Sequence, residues 1–174
     1  LDVSQRERLQ SLGAIYQEPL WLFHRKDHKI ESIADLHNLR VGLGATDSGT
    51  EEVTAAILQA NQIAPADYPE QWQRIGGRTA ADELLAGNLD AAFFIAPADS
   101  PLVQRLAASP LLQLASFRRA AAYEARIPFL RHVAVGEGLL NLAQNTPHRD
   151  ITTLSPVATL VINEDFNPAL APLI

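Results

Sequence analysis

The chain has 174 residues, is 47% hydrophobic and 20% charged, and carries a formal net charge of −6. That balance describes a folded globular protein with room for one sizeable core or two small ones, and its interspersed negative charge argues against nucleic acid or an anionic membrane surface as partner. With no cysteine, disulfides, thiol nucleophiles and cysteine-based metal sites are excluded, a composition that fits an oxidising compartment.

The elements follow in chain order. Asp2 to Leu12 predicts a short helix ended by Gly13. Ala14 to Phe23 predicts a strand interrupted at Pro19, where proline suits an edge, a bulge or a crossing between lobes. His24 to Lys29 is a charged turn, and Ser32 caps a short helix through Leu36. Leu39 to Leu43 is an apolar strand that runs into a glycine-rich loop, which opens into a helix over Glu51 to Asn61. Pro65 to Trp72 reads as loop, with an extended piece to Ile75 broken by Gly76-Gly77. A helix over Thr79 to Gly87, with Thr79 as cap, precedes the continuous apolar run Ala91 to Ile95, the signature of a buried parallel strand. Pro101 to Ala108 predicts a helix, Leu111 to Ser116 a strand, and Arg118 to Leu130 a helix broken at Pro128. Val133 to Leu142 has no regular pattern, because Gly136 and Gly138 oppose one. Ser155 to Asn163 predicts a strand and Pro168 to Ile174 the start of a helix. Strands alternating with helices predict an α/β fold, three layers with a mostly parallel central sheet flanked by helices. No apolar run approaches the ~20 residues of a membrane span.

The most informative stretch is Val41 to Thr50. Its strand, loop and helix would aim backbone N–H groups and the positive end of a helix dipole at one spot, a place for an anion. Ala45, Thr46, Ser48, Gly49 and Thr50 are the candidate ligand contacts, and a carboxylate is the expected guest. An ordinary capped turn without a ligand needs the same residue types. Better-known loops do not fit. Thr50 stands where a nucleotide P-loop needs lysine. Asp47 stands where a dinucleotide fingerprint has its third glycine. Thr46 stands where a serine-hydrolase elbow has its first glycine. In such sheets ligands bind beyond the carboxyl ends of the strands, so the Ala45 to Thr50 and Ala96 to Ser100 loops would lie side by side if their strands are neighbours.

Other constellations are weaker. His24 and His28 flank Asp27 with metal-like spacing, but the segment reads as a strand end and turn. Arg118 and Arg119 could offer a guanidinium to a carboxylate, against the plainer reading of a solvated helix start. No motif calls for a cofactor, a metal or a catalytic residue; an enzyme using Ser48 or Glu18 is the least supported class.

Three passages together resemble the TAXI-type solute receptors of TRAP transporters. Leu12 to Phe23, with Tyr16-Gln17-Glu18-Pro19-Leu20-Trp21, is similar to the family's hinge strand. Ser32 to Thr50 is similar to its ligand-loop stretch, and Ala81 to Phe93, with Gly87-Asn88-Leu89-Asp90-Ala91, to a further family segment. The resemblance implies a periplasmic-binding fold of two lobes, closing on a carboxylated solute, an amino acid or oxo-acid, that is passed to the membrane permease subunits. It implies that Ser48, Gly49 and Thr50 touch the ligand, that Tyr16 and Glu18 line the cleft, and that Ala96 and Pro97 border it. Glu18 could equally bond backbone N–H groups at the proline bend. Against the family, this chain reads as the second lobe: a hinge segment at 1–30, the ligand-binding lobe at 31–152, and a return crossing with the start of a helix at 153–174. The implied location is periplasmic or extracytoplasmic, membrane-anchored or free. A bare apolar hinge surface would favour dimerisation of an isolated lobe. A ligand-sensing domain of a signalling protein is the alternative.

Overall fold

The computed structural model describes residues 10–162, with side chains from 18 to 157. The chain forms two compact units. The first comprises Leu1–Gln17 and Val157–Ile174, the second Glu18–Pro156. In the first unit, strand β1 (Gln10–Gln17) pairs antiparallel with the later part of β8 (Ile151–Ile162), from Gln10 opposite Ile162 to Gln17 opposite Val157. Gln10 to Leu12, expected as the end of a helix, are strand because β8 supplies a partner edge. The rest of that predicted helix, and the one from Pro168, lie outside the described residues.

The second unit is built on a sheet of β2 (Leu20–Arg25), β3 (Val41–Gly42), β4 (Trp72–Gln73), β5 (Ala91–Ile95), β6 (Leu112–Leu114), β7 (Leu130–Val135) and the first part of β8. Its helices are α1 (Gly49–Ala60), α2 (Gly77–Ala86), α3 (Pro101–Ala107) and α4 (Ala120–Arg126). The α/β class with helices on both faces is as expected, and the sheet is mixed. β3 is parallel to β4 and β5, as helical crossovers require. β2 is antiparallel to β5 and β6 and meets β8 at Leu20 opposite Leu154, while β7 is antiparallel to β8. β3, β4, β5, β6 and β8 therefore share one direction, and β2 and β7 run against it. β2, which fell within the expected 1–30 hinge, is a core strand, with Leu20 to Phe23 all buried.

Two apolar layers cover the faces. Leu20, Leu22, Val41, Ala91 and Phe93 pack with Ile57 and Leu58 of α1 and Tyr123 of α4. Trp21, Phe23, Ala92 and Phe94 pack with Leu84 of α2 and Leu106 of α3. Alternate residues of β2 and β5 thus enter opposite layers, which is why both strands read as continuous apolar runs. Phe23 and Phe94 meet edge to face, ring centroids 6.1 Å apart.

Local chemistry sets the element ends. α1 begins at the Ser48 cap and buries Val53, Thr54, Ile57 and Leu58 on its inner side. α2 starts at Gly77 with Gly76 as cap, so Thr79 lies inside the helix; Gly87 ends it in the left-handed conformation, φ 83°. β7 occupies part of the stretch that Gly136 and Gly138 obscured, and it stops just before them.

Candidate functional site

The strand-to-helix loop is held from several sides. β3 continues as a ladder: Leu43 N–H donates to Gln73 O (2.9 Å) and Gly44 N–H to Ile75 O (3.1 Å). Gly44 has φ +109°, and a Cβ there would come within 2.5 Å of Glu51 N. A Cβ on Gly76 would come equally close to Ala45 N. Only glycine at both positions lets the loop press against the helix start and the segment after β4. Within the turn, Ser48 N–H donates to Ala45 O (3.0 Å).

The helix start is partly satisfied by its own residues. Ser48 Oγ accepts from Glu51 N–H (3.2 Å), Ser48 O accepts from Glu52 N–H (3.0 Å), and Glu51 Oε2 accepts from Asp47 N–H (2.8 Å). Among the described residues, nothing accepts from the N–H groups of Gly49 and Thr50. These are two of the orphan donors of a helix N-terminus, at the positive end of its dipole.

Gly49 and Thr50 face a hollow of about 360 Å3, lined also by Glu18, Glu52, Ile95 and Phe129. These residues come from the start of α1 that follows β3, the end of β5, and the segments entering β2 and β7, so the hollow sits at the carboxyl end of the strands that share a direction. The neighbouring parallel strands β3 and β5 bring their two loops to this one end. Glu18 is fixed through its backbone, where its carbonyl accepts from Ser155 Oγ (3.0 Å). Its carboxylate makes no hydrogen bond among the described residues, so the proline bend does not consume it there. The lining of the hollow therefore combines N–H donors, the carboxylates of Glu18 and Glu52, and apolar surface from Ile95 and Phe129. Such a lining suits a small molecule bearing an acid group and a second polar or cationic group.

The other expected contacts are placed differently. Ser48 spends its hydroxyl on the cap and lines a separate hollow on the far side of α1. Ala45 and Thr46 are exposed beside the loop and line neither hollow. Ala96 O accepts from Trp21 Nε1 (2.9 Å), tying down the end of β5, and Pro97 is exposed with its carbonyl accepting from Ser100 N–H (3.1 Å). The Tyr16 side chain lies outside the described ones. Arg118 pairs with Glu31 (3.6 Å) and Arg119 reaches Asn61 Oδ1 (3.4 Å). Sequence reading missed Glu52, Ile95 and Phe129. Helical spacing could have found Glu52, three residues after Gly49 on the same face; nothing local marks Phe129.

A profile of the NMT1-like family matches residues 3–174. The chain belongs to the NMT1-like family. Among solved structures, this NMT1-like chain is similar to the periplasmic aliphatic sulphonate binding protein SsuA from Escherichia coli, with TM-score 0.51 and 11% identity over 86% of this chain and 41% of that one. It is also similar to a TctC solute binding protein from Polaromonas, with TM-score 0.50 and 16% identity over 96% of this chain and 53% of that one. A sulfonate-binding SsuA from Methylobacillus flagellatus gives TM-score 0.53 at 15% identity, over 93% and 38%. The likeness establishes a periplasmic-binding-protein fold, and the chain spans about half or less of the length of these proteins. Among the described residues, no helix is long and apolar enough to cross a membrane.

Proposed function

We propose that this NMT1-like chain supplies the ligand-binding lobe of an extracytoplasmic solute receptor of the TAXI type, which captures a small carboxylated solute and hands it to a TRAP-type permease. The observation that carries this reading is the pair of unpartnered N–H groups of Gly49 and Thr50, opening on a hollow at the carboxyl end of the strands. In the capture step the solute carboxylate accepts from those two N–H groups and from the Thr50 hydroxyl, on the positive end of α1. No bond is made or broken. In this proposal residues 31–152 form the body of the lobe together with β2, the rest of 1–30 and 153–174 carry the crossings, and a second lobe closes over the hollow, excluding water and strengthening the contacts. The fold likeness to solute-binding proteins supports the reading.

Glu18 decides between the two solute classes. An amino acid would place its ammonium against the Glu18 carboxylate, whereas an oxo-acid would meet it as a repelling charge. The test is calorimetric titration of the full-length receptor with panels of amino acids and oxo-acids. Thr50→Val is expected to weaken the selected acid about tenfold, the worth of one hydrogen bond to a charged group. Glu18→Gln is expected to weaken an amino acid by about tenfold to a hundredfold and to leave an oxo-acid unweakened. Saturable binding of neither class would reject the receptor reading.

A further inference from the structure

Strand β6 has one open edge. In its antiparallel pairing with β2, His24 stands opposite Gln113. The bonds on either side of that pair run from Lys26 N–H to Leu111 O (3.0 Å) and from Ala115 N–H to Leu22 O (2.9 Å). Bonded pairs alternate with unbonded ones in such a ladder, so the N–H and C=O groups of Leu112 and Leu114 point away from β2. Farther along, the same edge is covered by β8, where Phe117 N–H donates to Thr152 O (2.7 Å) and Ser116 Oγ accepts from Thr152 N–H (3.0 Å). β8 begins only at Ile151, which leaves the earlier part of the edge without a neighbouring strand. Among the described residues, Leu114 N–H and the carbonyls of Leu112 and Leu114 have no hydrogen-bond partner. A hollow of about 290 Å3 is lined by this edge, by the end of α3 and by the 144–149 segment that leads into β8. It lies at the amino end of the strands that share a direction, opposite the hollow beside Gly49 and Thr50.

Charge and apolar surface select the occupant. Lys26, His148 and Arg149 line the hollow, none of them in an ion pair among the described residues, and no carboxylate lines it. The carboxylates next to them in sequence are engaged elsewhere, Asp27 with Arg25 (3.5 Å) and Asp150 with Glu137 N–H (2.8 Å). In a chain of net charge −6, this is a local reversal of sign. Of the four large hydrophobic side chains exposed among the described residues, three belong to segments that build this place. Leu111 directly precedes β6, and Leu139 and Leu142, the latter 87% exposed, lie on the 136–147 hairpin whose returning limb is a wall of the hollow. An edge with one free donor between two free acceptors matches the backbone of an extended peptide. One residue placed parallel opposite Gln113 would donate its N–H to Leu112 O and accept from Leu114 N–H. A small anion would use the cations and leave the carbonyls and leucines unmatched. We propose that the open edge of β6 is a docking site for an extended acidic segment of a partner protein, which adds a short parallel strand and sets carboxylates against Lys26 and Arg149 and apolar side chains against the flanking leucines.

The test titrates the full chain, by fluorescence polarisation, with a dye-labelled, acetylated and amidated heptapeptide in which glutamate alternates with valine and leucine. Saturable binding is expected, and it should weaken with added salt. The same peptide with lysine in place of glutamate, and the glutamate peptide methylated at every backbone nitrogen, should each bind about tenfold more weakly or worse. Succinate at equal ionic strength is expected not to displace the probe. In an amide-resolved NMR titration the Leu114 N–H should shift downfield and gain protection from exchange. Lys26→Glu combined with Arg149→Glu, both at exposed positions, should keep the parent's urea midpoint and weaken the peptide about tenfold or more, and Leu142→Ser should weaken it about tenfold. No saturable binding, equal binding of the lysine or the methylated peptide, or an unmoved Leu114 resonance would overturn the proposal. So would full affinity in either variant, or displacement by succinate, which marks a small-anion site. The probe reports on the end of the unit away from Gly49 and Thr50, so its failure leaves the acid-binding reading to its own test.

Discussion

Gly44 and Gly49 bracket the same loop with opposite demands. Gly44 has a positive φ and no room for a Cβ against Glu51 N. Gly44→Ala is therefore expected to cost about 3 kcal/mol, combining backbone strain with displacement of the helix start. A Cβ on Gly49 would meet nothing within 4 Å. Gly49→Ala should stay within about 0.5 kcal/mol of the parent in stability, yet weaken acid binding by crowding the N–H pair from the open side. Urea denaturation and calorimetric titration of both variants separate a glycine that builds the loop from one that keeps it accessible. A large stability loss in Gly49→Ala would contradict this assignment.

At the scale of elements, the entrances of β3 and β5 are joined by one ion pair. Asp90 accepts from Arg40 N–H (2.9 Å) and from Arg40 Nε (3.0 Å), and His28 Nε2 lies 3.5 Å from Asp90 Oδ1. The Arg40 hydrogen bonds hold the Asp90 carboxyl down at about 2, against an ordinary value of 3.8. A depressed carboxyl stabilises the fold fully above its unfolded value and loses that contribution as pH falls through the folded one. The difference corresponds to about 2 kcal/mol. Asp90→Asn is expected to lower stability at pH 7 by about that amount and to flatten the stability profile between about pH 4 and pH 2. Urea unfolding across that range checks it, and an unchanged profile would refute the role.

The elements also show where local pattern carries information. Ala91 to Ile95 announced a buried strand because both its faces are covered, and the loop before α1 announced itself through small polar residues after an apolar strand. The place of β2 was not readable, because strand direction and order are set by tertiary pairing. β7 was hidden because Arg131 and His132 are exposed and two glycines follow closely. In the hollow, Gly49 and Thr50 stood out by motif and Glu18 by resemblance. Phe129 came into view only when the start of β7 and the end of β5 were found to line one hollow.

For the whole molecule, the unit Glu18–Pro156 gathers unpartnered N–H donors and carboxylates around one hollow at one end of a three-layer core. An open hollow of this kind holds a solute weakly until something covers it, since exposed hydrogen bonds compete with water. That is why the proposed receptor needs closure and why its affinity belongs to the full-length protein. The most direct measurement is an amide-resolved NMR titration of that protein with the acid selected by calorimetry. The Gly49 and Thr50 N–H resonances are predicted to show the largest downfield shifts, saturating with the calorimetric affinity, as expected for donors newly bonded to a carboxylate. Saturable binding that leaves both resonances in place would contradict the account.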